Sequence, residues 1–135
     1  MREFVLDKKM LTMSGTFYPT GHVVILFPQA ADARATGEAL IGEAGFTEED
    51  VLTLSPDTVI REIAPPPEDA DITLPSVGTE GITARSFEAL AREGHHGLVV
   101  AADSRDAAER LMVVARRVPF SFAQRYRTLV IENLL

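Results

Sequence analysis

The run Val23-Val24-Ile25-Leu26-Phe27 is apolar at every position, rich in β-branched residues, opened by His22 and stopped by Pro28. Such a run predicts a buried strand. From Ala30 to Ala44 the period changes. Ala33, Gly37, Leu40, Ile41 and Ala44 recur at helical spacing, and Gly45 stands where a left-handed C-cap residue belongs. Phe46-Thr47-Glu48-Glu49-Asp50 reads as a capped turn leading into a short strand, Val51 to Leu54. Ser55-Pro56-Asp57 carries three marks of a helix start: a capping hydroxyl, a proline at the first helical position, and an acid at the positive end of the dipole. That helix ends by Ala64, because Pro65-Pro66-Pro67 biases each preceding residue away from helical angles.

Residues 65–82 are acidic and turn-rich and read as one long loop. Thr83 to Glu93 predicts another helix, with Phe87, Leu90 and Ala91 on one face and Gly94 as its stop. His96 to Ala101 is a second apolar strand. Asp103-Ser104 caps a helix carrying Ala108, Leu111, Met112 and Ala115, which stops before Pro119. The chain closes on a strand from Gln124 to Ile131. Residues 1–20 scatter Phe4, Leu6, Leu11, Phe17 and Tyr18 without a period, and read as an arm that packs on the rest.

His22 and His96 lie 74 positions apart, and the same offset relates Asp32 to Asp106 and Ala33 to Ala107. Along it, Val24-Ile25-Leu26 falls on Leu98-Val99-Val100. With strand–helix–strand in both halves, this implies a pseudo-duplicated unit. Two β-α-β units predict an α+β fold, the ferredoxin-like split β-α-β sandwich: a four-stranded antiparallel sheet with helices on one face. The single domain spans 21–135, and residues 55–95 form a helical insertion between its halves.

An aliphatic strand (Val23 to Phe27), an alanine-rich helix (Ala30 to Ala44) and then Gly45-Phe46-Thr47-Glu48-Glu49-Asp50-Val51 resemble small bacterial proteins of the general-stress type. Leu90-Ala91-Arg92-Glu93-Gly94-His95 before the later strand is similar to their longer uncharacterised relatives. The resemblance covers about residues 20–131. It implies a ferredoxin-like fold and a stress-associated role; some such proteins carry an RNA-binding label by analogy of fold.

Charge narrows the partners. The formal net charge is −7, so the average field repels a long polyanion such as duplex DNA. The six arginines at 105, 110, 116, 117, 125 and 127 face only Asp106 and Glu109 within that stretch, a local excess of +4. A local anion site is compatible with this; a general nucleic-acid coat is not. The absence of cysteine excludes disulfides and thiol chemistry. No apolar run is long enough for a membrane span, and charge breaks up the first nine residues, unlike a secretory leader. A cytoplasmic location is the expectation.

Candidate chemistry is sparse. A zinc site needs three or four converging ligands. Antiparallel pairing of the two apolar strands puts His22 and His95/His96 at opposite ends of the sheet, so no metal site and no cofactor are expected. Ser104, Ser121 and Asp103 have no triad context in sequence, and no catalytic residue is assigned. Pro75 to Gly81 is a glycine-rich loop without a Walker lysine. The best remaining site is an anion-binding strip of Arg116, Arg117, Arg125 and Arg127, with Tyr126 on the opposite face of the last strand. The preferred function is a non-enzymatic regulatory or stress-associated module acting through protein contacts or a small ligand. The alternative is an RNA or nucleotide-phosphate binder using the arginines, with a small anion or single-stranded RNA as partner. Least favoured is an enzyme of the dimeric α+β barrel kind.

One expectation concerns assembly. The two central strands are apolar on both faces, while helices cover one face only. The second face needs a cover: the arm, the insertion, or a second copy in a homodimer. The symmetry argument favours the homodimer.

Overall fold

The computed structural model describes residues 1–6, 17–63, 88–127 and 130–134. Strand β1 is Arg2–Glu3 and β2 is His22–Phe27, followed by helix α1, Ala30–Glu43. Strand β3, Val51–Leu54, leads into the short helix α2, Pro56–Thr58, which widens into a π-helical turn over Val59–Ile63. After helical residues 88–92 come β4, His96–Ala101, helix α3, Arg105–Ala115, and strands β5, Phe122–Arg127, and β6, Val130–Asn133. The fold is α+β, built on one mixed sheet in the order β1-β3-β4-β2-β5-β6. Among the described residues only the β1–β3 pair is parallel; the other four pairs are antiparallel.

The 74-residue offset found in the sequence maps β2 onto β4 end to end. It also places Asp32 and Asp106 in the first turns of α1 and α3. Ala33 and Ala107, again one offset apart, are both buried in the same core. Each half lays a helix on the sheet through an alanine, whose small side chain permits close approach.

Alternation along β2 builds two cores. Val23, Ile25 and Phe27 join Leu98 and Val100 beneath α1 and α3, with Leu40, Leu111 and Met112 from the helices. Val24, Leu26 and Val99 face the other way, onto Phe4, Phe17, Val59 and Ala91. Val23 through Phe27 are all completely buried, so each aliphatic side chain contributes roughly 1.5–3 kcal/mol from burial.

Three expectations change. The sheet has six strands rather than four, because the arm adds β1 beside β3 and the chain end adds β6. The expected final strand, Gln124 to Ile131, is two strands: Arg127 pairs with Val130 across a two-residue connection. Thr128-Leu129 carries no glycine, proline or asparagine, so no turn signal marks it. Nor is the helix-free face bare. The arm, the turn at 59–63 and the helical residues 88–92 cover it within one chain, which removes the ground on which a homodimer was expected.

Elsewhere the local signals act as caps and turns. The Ser55 hydroxyl accepts from Thr58 N–H, and the Ser104 hydroxyl from Ala107 N–H. Gly45 and Gly94 take φ of 83° and 90°, angles that favour glycine. At Gly94 the cap is a Schellman motif: His95 N–H returns to the Leu90 carbonyl and Gly94 N–H to that of Ala91. The loop 65–82, the glycine-rich stretch 75–81 and the start of the helix expected at 83 lie outside the described residues. Among the described residues no helix is long and apolar enough to cross a membrane.

Candidate functional site

The arginine strip divides. Arg125 and Glu132 are cross-strand partners, and β6 thereby supplies a carboxylate between two guanidinium groups. Arg125 Nη1 lies 3.9 Å from Glu132 Oε1, and Arg127 Nη1 lies 3.6 Å from Oε2. Arg125 is only 7% exposed, and its Nη2 donates to the Asp103 carbonyl at 3.3 Å. A buried guanidinium needs such partners, since desolvating an unpaired charge costs several kcal/mol on the order-of-magnitude scale for buried ions. Arg117 belongs to a different element: its Nη1 bonds both carboxylate oxygens of Glu43 at the end of α1, at 3.1 and 3.2 Å. Arg116 is exposed at the C-cap of α3. Arg125 and Arg127 come together; Arg116 and Arg117 do not join them.

Tyr126 lies on the opposite face, as the alternation of β5 requires. It is 1% exposed and packs edge-on against Tyr18, with centroids 5.2 Å apart, and against Phe17 at 6.2 Å. Phe17 in turn meets Phe4 at 5.9 Å. The Tyr18 hydroxyl donates to the Arg127 carbonyl at 2.6 Å. Among the described residues the Tyr126 hydroxyl has no hydrogen-bond partner. Burial, with a smaller contribution from Tyr18, pushes its phenol well above the ordinary value of 10.0. A buried polar atom left unpaired costs about 1–3 kcal/mol, and its position inside an aromatic cluster is the least self-sufficient point of the described core.

The histidines separate as the antiparallel register demands. His22 pairs with Ala101, whereas His96 pairs with Phe27 at the other end of the sheet. Their Nδ1 atoms lie near the carbonyls of Thr20 and Gly94, at 3.0 and 3.2 Å. Among the described residues no three His, Asp or Glu side chains converge as a metal site would need. The fold does join His95 to Ser121, 2.7 Å from Nδ1 to Oγ, a pairing invisible across 26 positions of sequence. The Glu132 ion pairs and the Tyr18 hydrogen bond to Arg127 are likewise invisible in sequence. Both depend on which strands and arms become neighbours.

No protein-family model, curated protein or solved structure matches this chain significantly.

Proposed function

We propose that this chain is a ferredoxin-like regulatory module, of the stress-associated kind it resembles, whose act is to bind a small ligand or a protein partner. The four central strands support the fold reading. Counted among themselves they run 2-3-1-4, each antiparallel to its neighbour, with α1 and α3 packed on one face. The observation that carries the ligand reading is the buried Tyr126 hydroxyl, unpartnered among the described residues, in a mostly apolar aromatic cluster. A flat, mostly apolar molecule with one hydrogen-bonding atom suits those surroundings: rings for its body, a phenol for its polar end. Native mass spectrometry of the purified protein tests this. Wild type retains a small molecule and Tyr126→Phe loses it; bare chain in both overturns the ligand reading.

A second reading, narrower than an arginine strip, rests on two guanidinium groups sharing the single carboxylate of Glu132. That imbalance suits one small phosphate-like anion better than an extended RNA. A phosphate titration, followed by chemical shifts of the neighbouring Glu132 and Asp103 with a salt series, checks it. Equal shifts in the double alanine variant of Arg125 and Arg127 would end it.

A further inference from the structure

The His95–Ser121 pair lies at the opposite end of β5 from Tyr126. The Schellman cap at Gly94 fixes His95 at the mouth of β4, while Ser121 stands directly before β5. Between them runs the end of β2, whose Leu26 carbonyl accepts the Ser121 N–H at 2.8 Å. Three strands thus hold the two side chains in register, and neither depends on a long loop for its placement. The His95 side chain is 12% exposed, and Ser121 is half-buried.

The hydroxyl proton of Ser121 has two possible acceptors. Leu26 O lies 3.2 Å from Oγ and already accepts a backbone N–H; His95 Nδ1 lies at 2.7 Å. The shorter and less occupied acceptor is the imidazole. On the far side of the ring, Nε2 lies 3.8 Å from the Glu93 carboxylate; in the tautomer with its proton on Nε2, Nδ1 is bare and accepts the Ser121 hydroxyl. A serine hydroxyl donating to a bare imidazole nitrogen is the arrangement of an activated nucleophile.

We propose that Ser121 is a nucleophile with His95 as its general base, and that this end of the sheet accepts small activated acyl esters. Ser121 Oγ forms a bond to the ester carbonyl carbon as its proton passes to His95 Nδ1. The ester C–O bond then breaks, and the departing alkoxide takes that proton from His95 to leave as alcohol. Water attacks the acyl-serine carbonyl, giving a proton to His95; the Ser121–acyl bond breaks, the carboxylic acid leaves, and Oγ recovers the proton. The sum is ester plus water to acid plus alcohol, with no redox partner. General-base assistance of this kind is worth roughly 10²–10⁴-fold.

The test uses the full chain and a fluorophosphonate probe, read by intact mass and peptide mapping. One adduct is expected, on Ser121, absent from Ser121→Ala and about 100-fold slower in His95→Gln. His95→Gln keeps a hydrogen-bonding side chain beside Ser121, and unchanged circular dichroism of that variant separates lost base catalysis from lost fold. Absence of the Ser121 adduct in the wild type overturns the proposal and makes the pair a strand-end clamp. So does labelling that proceeds at the wild-type rate in His95→Gln.

Discussion

Leu26 and Gly97 face each other across the β2–β4 pair, and Leu26 Cδ2 lies 2.5 Å from where a Cβ on Gly97 would stand. The Ile25 carbonyl oxygen would be 2.8 Å away on the same side. A leucine tip can turn aside, but a backbone oxygen inside a hydrogen-bonded sheet cannot. Gly97→Ala is therefore expected to cost about 2 kcal/mol or more, at the upper part of the overpacking range. The measurement is the urea midpoint at constant slope; a midpoint equal to wild type would contradict the packing at this crossing.

Gly37 provides the contrast. A Cβ there would collide with the Met1 thioether and meet Leu98 Cδ2 at 3.4 Å. The first obstacle is the end of a flexible side chain. Alanine in a helix interior gains roughly 0.8–1 kcal/mol over glycine, offset by displaced Met1 packing. The expected net change is small, within about 1 kcal/mol of wild type. A loss as large as that of Gly97→Ala would mean that Met1 cannot move.

Arg110 joins the two helices of the first core. Its Nη1 donates to the Ala44 carbonyl at the C-cap of α1, at 2.6 Å, and its guanidinium lies 5.2 Å from the Phe46 ring centroid. The same side chain pairs with Asp106 at 3.3 Å. Helix-end carbonyls lack internal partners, so this bond replaces one that water would otherwise supply. Because Arg110 is nearly half exposed, Arg110→Ala is expected to cost only about 1 kcal/mol after discounting for solvent. Thermal unfolding reads it, and Asp106→Ala should cost less than Arg110→Ala.

Tyr126 makes stability depend on alkaline pH. Its folded phenol holds its proton to well above 10.0, while the unfolded chain releases it near that value. The native state therefore binds the proton more tightly. The linked stability is complete below pH about 10 and declines as pH rises from there through the folded value. Ultraviolet titration should show a tyrosine ionising well above 10.0 that disappears in Tyr126→Phe, and that variant should flatten the alkaline decline. In the unliganded chain, that variant should be as stable as wild type or more so, since it removes an unpaired hydroxyl.

Ser104 is the remaining test of local reading. Its hydroxyl accepts from Ala107 N–H at 3.0 Å. Ser104→Ala should cost about 1 kcal/mol, and Ser104→Asp should restore most of it. Denaturant unfolding of the two variants side by side gives the answer; equal losses in both would show that the cap is not the source of the effect.

What the residues determined alone is local. Val23 to Phe27 could only be strand, because five successive apolar, largely β-branched side chains fit a doubly buried pleat. Ser55, Ser104, Gly45 and Gly94 marked helix ends through hydroxyl acceptors and left-handed angles that act within a few residues. The 74-residue offset relates β2 to β4 and α1 to α3 because both halves place an apolar strand before an alanine-bearing helix. None of these features requires knowledge of a distant neighbour.

What only the tertiary structure decided is which distant groups meet. Which of arm, insertion or second copy covers the second sheet face stays open until Phe4, Phe17, Val59 and Ala91 are seen lying on it. The anion strip reads as four free cations until β6 folds back with Glu132 and α1 presents Glu43. Ser121 lacks any catalytic context until the ends of β2, β4 and β5 bring it to His95. In each case the deciding interaction crosses strands or helices brought together by burial of the whole core. A side chain's partner is then set by register and packing, which local periodicity does not encode.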